Sequence, residues 1–379
     1  MGINGLTPFL KKYAPNAFST VSLALFSQKR IAIDISLFLY KYKVVFGEQW
    51  LSGVVQLLTT LRENSIHPIV VFDGEAPVEK IEEQKIRRVT REERNNKYLS
   101  LMGQVDEYNA TGVICDELQE FYTKSFANMQ KRYSPTLLAV QMTSSTFDIN
   151  FVLDKLSKMQ SQNVRVTFQD IQLVQNLLNV LHIQSIQAPT EAEALCSWLT
   201  ITDVVAAVLT EDTDVLAYGA PLFLNKINTN TSTCTMIDYN KILEELKLTR
   251  EQFTEFCIMC GCDYNQRTKG VGPSRIFKFY KKYSSFNEIV ENETKYDFTN
   301  IHMERIKQLF TSHMNDTIDQ INIKDWYSGT PNFIEIESFM KQCNLTLKPE
   351  RIYNACLQDA RSFSVHNKYN YKKRNSPSK

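Results

Sequence analysis

Three short apolar runs in this chain each stop on an acid. KRIAIDISLFLY reaches Asp34, HPIVVFDG reaches Asp73, and VVAAVLTEDTD reaches Asp212 and Asp214. Runs this rich in Ile and Val, closed by turn residues, read as buried strands. Between them, WLSGVVQLLTTLREN and QDIQLVQNLLNVL repeat apolar residues every three or four positions, the period of a helix with one buried face. Strands that alternate with helices imply a mostly parallel, twisted sheet covered on both faces. Such sheets bind ligands beyond the carboxyl ends of their strands. The predicted fold is therefore α/β with an acidic rim at its ligand-binding edge.

The acids thicken between Gln187 and Leu216. This stretch of thirty residues holds six carboxylates (Glu191, Glu193, Asp203, Glu211, Asp212, Asp214) and no Lys or Arg, in a chain of net charge +1. Like charges a few Å apart raise one another's pKa unless a multivalent cation offsets them. The pairs Glu191/Glu193 and Asp212/Asp214 stand at the two ends of an apolar run, so folding can bring them to one rim as a carboxylate metal site. Each acid alone has a plainer reading. Asp73 before Gly74 fits a turn, and Thr190-Glu191-Ala192-Glu193 fits a capping box with Thr190 as N-cap and Glu193 at N3. Capping requires neither Glu191 nor two Asp at a strand exit, and three strand-end acids together favour the metal. Hard oxygen ligands suit Mg²⁺ or Mn²⁺ and do not select zinc. Asp203 and Glu211 match no ligand position and read as turn and surface residues.

Composition bounds the alternatives. With 379 residues, 43% hydrophobic and 22% charged, the chain carries a full α/β core. No run approaches 18 uncharged apolar residues and MGINGLTPFLKKYAP lacks a signal-peptide core, so the expectation is an intracellular soluble protein without a membrane role. Eight scattered Cys imply reduced thiols. Cys257, Cys260 and Cys262 in FCIMCGCDY follow helical spacing, and the five His form no ligand pair, which sets zinc and iron-sulfur aside. Any affinity for nucleic acid must come from local patches. Lys80 to Lys97 carries seven basic and four acidic residues; Tyr264 to Lys282 carries six basic and no acidic ones; His366 to Lys379 carries five Lys/Arg and no acid.

Lys80, Arg87, Arg91 and Arg94 fall at i, i+7, i+11 and i+14, which places four cations on one predicted helix face just after the Asp73 strand. That face is either solvated, with Glu82, Glu83, Glu92 and Glu93 as partners, or a grip on phosphates beside the acids. Further on, APLFLNKI and STCTMIDYN read as short strands, and KILEELKLTREQFTEFCIMCGC as helices. Gly270-Val271-Gly272-Pro273 opening a basic helix resembles a hairpin whose backbone N–H groups face a phosphate; a plain glycine turn with Pro starting a helix is the alternative. Asp263 directly before it is a seventh candidate ligand. The expected organisation is an N-terminal region over 1–100, a helical cap over 101–163, an internal region over 164–285, a C-terminal helical region over 286–362 and a basic, disordered tail over 363–379, whose KYNYKKR suits nucleic acid or a nuclear localisation signal.

Six ordered motifs carry a family likeness: MGINGLTPFL, AIDISLFLY, VFDG, PTEAEAL, TEDTDVLAYG and GCDYNQRTKGVGPSR. Together they resemble the flap endonuclease and XPG-like family of 5′ structure-specific nucleases, which includes viral members. The resemblance implies a two-metal nuclease with a PIN-like core, a helical arch over the active site and a helix-two-turn-helix element that holds duplex DNA. It implies that Asp34, Asp73, Glu191, Glu193, Asp212, Asp214 and Asp263 are the metal-site carboxylates, that Lys80 and Arg87 orient the scissile phosphate, and that Tyr40 stacks on the nucleotide beside the cut. Gly2 resembles the family's processed N-terminus, and Gly270, Gly272 and Arg275 stand in the duplex-binding hairpin, with Arg91 and Arg94 as further DNA contacts. The expected partner is branched or nicked DNA, bound by a monomer in the nucleus or at a viral replication site.

Two departures matter. Asp73 and Glu191 are 118 residues apart, with the excess over typical flap endonucleases in the cap, and the C-terminus lacks a sliding-clamp motif, so clamp binding is not expected. A 5′ exonuclease, a junction resolvase, an RNA-directed enzyme or an inactive nucleic-acid scaffold are the other readings; filled carboxylate positions argue against the last.

Overall fold

A computed structural model describes residues 2–130, 147–311 and 330–358. Its frame is a seven-stranded sheet of β1 (Phe18–Ser22), β2 (Arg30–Asp34), β3 (His67–Phe72), β4 (Gln184–Gln187), β5 (Ala207–Leu209), β6 (Leu222–Asn228) and β7 (Thr233–Asp238), in the order β1-β7-β6-β5-β2-β3-β4. The five strands from β6 to β4 are parallel, and β7 runs antiparallel to both β6 and β1. The expected apolar runs supply the centre. Ile31, Ala32 and Ile33 of β2 and all of β5 are inaccessible because helices cover both faces, as a parallel sheet requires.

Helices α1 (Leu6–Tyr13), α2 (Ile35–Phe46) and α3 (Trp50–Glu63) precede β3. After it come α4 (Ile81–Thr111), α5 (Asp116–Gln130), α6 (Ile149–Ser161), α7 (Phe168–Val180), α8 (Ala192–Ile201), α9 (Asp214–Ala217), α10 (Tyr239–Leu246), α11 (Arg250–Cys260), α12 (Pro273–Tyr280), α13 (Phe286–Asn292), α14 (Met303–Thr311) and α15 (Phe333–Gln342). One face of the sheet packs against α1, α8 and α10 to α14 through Leu6, Phe9, Leu195, Phe253, Phe256 and Ile276. The other packs against α2, α3, α7 and the C-terminal helices through Phe38, Leu57, Leu177, Ile336 and Ile352. Arg351, in the helical residues 349–358, ties this end down with a two-pronged bridge to Glu63, Nε at 2.7 Å and Nη2 at 2.9 Å.

The chain divides into two compact units. The first comprises the residues up to Tyr42, Glu48–Glu83 and those from Val166 onward; it contains the sheet. The second comprises Lys43–Gly47 and Gln84–Arg165. Its small core joins Leu101 and Val105 of α4, Leu118 of α5, and Val152 and Leu156 of α6. No break falls at residue 100, because α4 runs on uninterrupted to Thr111. The four-cation helix face needs one correction. Lys80 ends a 3-10 turn, Val78–Lys80, and α4 begins only at Ile81, so the face holds Arg87, Arg91 and Arg94. Pro77 stands just before that turn, at its N-cap, and fixes its entry. The basic tail lies outside the described residues.

Candidate active site

Four neighbouring parallel strands, β5, β2, β3 and β4, end at one rim, and each is followed by acid. Asp34 is the last residue of β2 and only 2% exposed. Its Oδ1 accepts the Ser36 amide at 3.2 Å and its Oδ2 accepts the Thr210 hydroxyl at 2.9 Å. The same hydroxyl accepts the Asp212 amide at 3.1 Å, and Asp212 Oδ1 accepts the Asp214 amide at 3.1 Å. Thr210, just past β5, thereby links the acid of one strand to the acids of the next.

Asp73 follows β3 and receives the Ala192 amide on Oδ1 at 2.9 Å, so it caps α8 from the end of the neighbouring strand. Glu191 occupies the N-cap position of α8 without capping through its side chain. The capping box of the plainer reading does not form, since an acid from another strand already takes a first-turn amide. The loops meet tightly here: a Cβ on Gly74 would lie 2.0 Å from the Ala188 carbonyl oxygen, and only glycine permits that approach.

Released from capping, Glu191 and Glu193 turn towards Lys80. The ammonium bonds Glu191 Oε1 and lies 3.0 Å from Asp263 and 3.7 Å from Glu193. Tyr264 donates its hydroxyl to the other oxygen of Glu191 and stands 2.7 Å from the hydroxyl of Tyr218. Glu191, Glu193, Asp212, Asp214 and Asp263 are all buried.

Burial and mutual repulsion govern the charges. Desolvation, reinforced by Asp73 and Asp212 against the Thr210 hydrogen bond, lifts the Asp34 carboxyl to about 7. Burial pushes Glu193 well up, with Glu191 adding and Lys80 opposing. Burial likewise raises Asp214 well above the usual carboxylate range, with Asp212 and Asp263 adding, and it raises Asp212 against the hydrogen bond from the Asp214 amide. Burial disfavours the Lys80 ammonium, but Glu193, Glu191 and Asp263 outweigh it and hold the group charged.

The donors fit a divalent cation in kind: all are oxygens, they repel one another, and the buried Asp214 Oδ1 has no hydrogen-bond partner. Among the described residues no three His, Cys, Asp or Glu side chains are already grouped to hold an ion. Lys80 and Tyr264 each bond one oxygen of Glu191, and each carboxylate oxygen keeps a further lone pair for a cation.

The other expected residues spread out from this rim. Gly2 lies against it at φ +91°, where a Cβ would fall 2.2 Å from Asp212 Oδ1 and 2.8 Å from the Thr213 amide. The Ile3 amide donates to the Thr213 hydroxyl at 3.0 Å. Tyr40 is half-buried on α2, the helix that begins right after Asp34. Arg87, Arg91 and Arg94 lie half-buried on α4 in the second unit. Gly270, at φ +78°, and Gly272, the N-cap of α12, form an open turn. Arg275 folds back there to donate to the Gly270 carbonyl and lies over the Tyr296 ring at 5.5 Å. Asp203 sits in a left-handed turn, and Glu211 pairs with Lys41. Sequence reading missed Thr210, Tyr218 and Tyr264; the adjacency of Tyr264 to Asp263 was the one available signal.

Comparison with known proteins bears on the family and the fold. Residues 1–94 match the XPG N-terminal domain and residues 182–263 the XPG I-region. A probable RAD2-like endonuclease of Invertebrate iridescent virus 3 is 30% identical over 361 residues, covering 89% of this chain and 92% of the viral protein. Flap endonuclease 1 of Enterocytozoon bieneusi is 32% identical over 305 residues, covering 76% and 72%. In structure, the catalytic core of Rad2 in complex with DNA substrate superposes with a TM-score of 0.57 at 20% identity, over 94% of this chain and 100% of that one. Flap endonuclease-1 from Methanococcus jannaschii gives 0.58 at 19%, over 94% and 99%. The fold is thus the PIN-like nuclease fold, a mostly parallel sheet with acids along its carboxyl edge. The chain belongs to the XPG and RAD2 family of 5′ structure-specific nucleases, and its activity is phosphodiester hydrolysis. Members of this family generally depend on divalent metal ions. Among the described residues no helix is long and apolar enough to cross a membrane.

Proposed function

We propose that this nuclease cuts branched or nicked DNA near a 5′ flap, in replication, repair or recombination, with two Mg²⁺ ions per site and Mn²⁺ as a substitute. The observation that carries the reading is the gathering of six carboxylates beyond four strand ends with Asp263, which follows α11, and the placement of the Lys80 ammonium within 4 Å of three of them, Glu191, Glu193 and Asp263. Asp34, Asp73, Glu191 and Glu193 would hold one ion, and Asp212, Asp214 and Asp263 the other. When bound, the pair supplies an activated water and stabilises the leaving oxygen of an in-line displacement.

The protein's own residues do the rest. Lys80, released to the phosphate, offsets the charge that grows on it in the transition state, and Arg87 assists. Tyr40 stacks on the nucleotide beside the cut. Arg91 and Arg94 grip backbone phosphates, and Gly270, Gly272 and Arg275 hold the duplex without reading its sequence. Gly2 keeps the N-terminal segment against Asp212.

A labelled 5′-flap DNA, incubated with the full chain and Mg²⁺ and then with chelator, tests this. Cutting should appear with metal and stop with chelator, and Asp212→Asn should bind the DNA but not cut it. A wild type inert on flap, nicked and four-way substrates alike would overturn the proposal.

A further inference from the structure

The turn that presents Lys80 has no anchor in the core. From Gly74 to Lys80 no residue is buried, and Val78 is 71% exposed. The Lys80 amide closes the turn on the Pro77 carbonyl at 3.0 Å, and the Ile81 amide closes it on the Val78 carbonyl. Bonds of this 3-10 type have poorer geometry than those of an α-helix. Side chains must therefore hold it. Lys80 reaches Glu191, Glu193 and Asp263, and Glu79 Oε1 accepts the Arg305 Nε at 2.5 Å from 226 positions away. That hydrogen bond holds the Glu79 carboxyl below its ordinary value.

Arg305 belongs to a well-fixed element. It is carried by α14, whose Met303, Ile306 and Phe310 are buried in the core. Lys307 of the same helix bridges Glu251 at 2.6 Å and the buried Glu255 at 3.2 Å, both on α11, and Glu255 also accepts the Tyr280 hydroxyl and the Phe286 amide. Phe310 packs edge-on against Tyr218 and Tyr264, with ring centroids 4.8 and 5.4 Å apart. Apolar packing between helix and turn is incomplete, since Pro77, Leu309 and Phe310 line one cavity of about 510 Å³. The Glu79–Arg305 pair thus joins a loosely packed turn to a fixed helix.

The two attachments of the turn differ in what loading the site would do to them. Lys80 bonds to acids that the proposed metal ions would engage, and a cation there weakens its hold on the ammonium. Arg305 bonds no rim acid, so its hold on Glu79 persists. We propose that Arg305 is a positioning residue for cleavage: through Glu79 it keeps the Val78–Lys80 turn, and with it the Lys80 ammonium, at the rim when the acids have turned to metal. This rests on the DNA-cutting function proposed above and adds to it a residue on a distant helix. A reacting group misplaced by about 1 Å can cost roughly 100-fold in rate.

The test uses the full chain. Arg305→Gln and Glu79→Gln should each slow single-turnover cutting of a 5′-flap DNA by about 10- to 100-fold with Mg²⁺, and leave DNA binding in chelator as in wild type. The double variant should be no slower than either single one, because both remove the same bond. Melting temperatures should hold, since exposed ion pairs contribute little to stability. Amide exchange over residues 78–83, measured with Mg²⁺ and without DNA, should quicken in both variants. Wild-type exchange, or a wild-type cutting rate in either variant, overturns the proposal. Weaker DNA binding in Arg305→Gln that Glu79→Gln does not share also overturns it, by making Arg305 a direct DNA contact. A wild type that cuts no DNA counts against the proposed function instead, and the exchange measurement still decides the tether.

Discussion

Burying the Asp34 charge among other acids of the rim is a stability cost that one substitution should relieve. Burial, with Asp73 and Asp212 adding, raises the Asp34 carboxyl from its usual 3.8 to about 7. A pKa higher in the folded than in the unfolded state means that the folded protein retains the proton longer. Stability therefore falls as pH rises from about 4 to about 7, and the full penalty stands above that. It amounts to about 4 kcal/mol at ~1.36 kcal/mol per pH unit. Asp34→Asn removes the charge and keeps the shape. Its amide oxygen can accept the Ser36 amide, and its Nδ2 can donate to the Thr210 hydroxyl, which has lone pairs for both this group and the Asp212 amide.

At a melting entropy of ~2.1 cal/mol/K per residue, 379 residues give ~0.8 kcal/mol/K, so the relief is worth about 5 °C. In chelator near pH 8, the variant should melt about 5 °C above wild type by intrinsic Trp fluorescence, and within about 1 °C of it near pH 4.5. Adding Mg²⁺ should narrow the gap at the higher pH by stabilising wild type more. A gap that ignores pH, or a variant less stable than wild type near pH 8, would refute the reasoning.

Two further outcomes follow from single contacts. Tyr264→Phe removes the donor to Glu191 and the partner of the Tyr218 hydroxyl; the divalent-ion titration midpoint should weaken by about 10- to 100-fold, the usual effect of removing an outer-shell partner, and an unchanged midpoint would show that Glu191 needs no such support. Gly2→Ala drives a Cβ to 2.2 Å from Asp212 Oδ1 and strains φ +91° by about 1–2 kcal/mol. Cutting should fall sharply, while Gly47→Ala, at φ +53° with nothing within 4 Å, should leave cutting intact despite similar strain; equal effects would remove the N-terminal segment from the site.

The legible parts of this fold are those where burial leaves no choice. The central strands show themselves because both faces are covered, so β2 and β5 must be apolar throughout, and an acid at such a strand's exit stands out. The edge strands are different. FSTVS and QSIQ are half-exposed and carry no consistent alternation, so neither β1 nor β4 can be read before its neighbour is known. Thr210, Tyr218 and Tyr264 were hidden for another reason. A hydroxyl that bonds an acid 73 or 176 positions away leaves no local pattern. The spacing of Lys80 with Arg87 misled because periodicity cannot say where a helix begins, and the 3-10 turn after Pro77 removes Lys80 from that face.

Sheet order also explains why acids so far apart in sequence become neighbours. The strand sequence β5-β2-β3-β4 brings Asp212, Asp34, Asp73 and Glu191 side by side, although they arise in a different order along the chain. Bringing them together is not enough to aim them. Thr210 holds Asp34, the Ala192 amide holds Asp73, the Asp214 amide holds Asp212, and Tyr264 holds Glu191. Each carboxylate is thus oriented by a bond that the fold itself requires: a strand exit, a helix start or a tight turn. Asp73 shows the economy of this arrangement, since the bond that starts α8 also fixes the acid at the rim and releases Glu191 and Glu193 to face it. A site built this way should lose aim before it loses stability, so substituting a supporting group such as Thr210 or Tyr264 should impair cutting at temperatures where the protein is still fully folded.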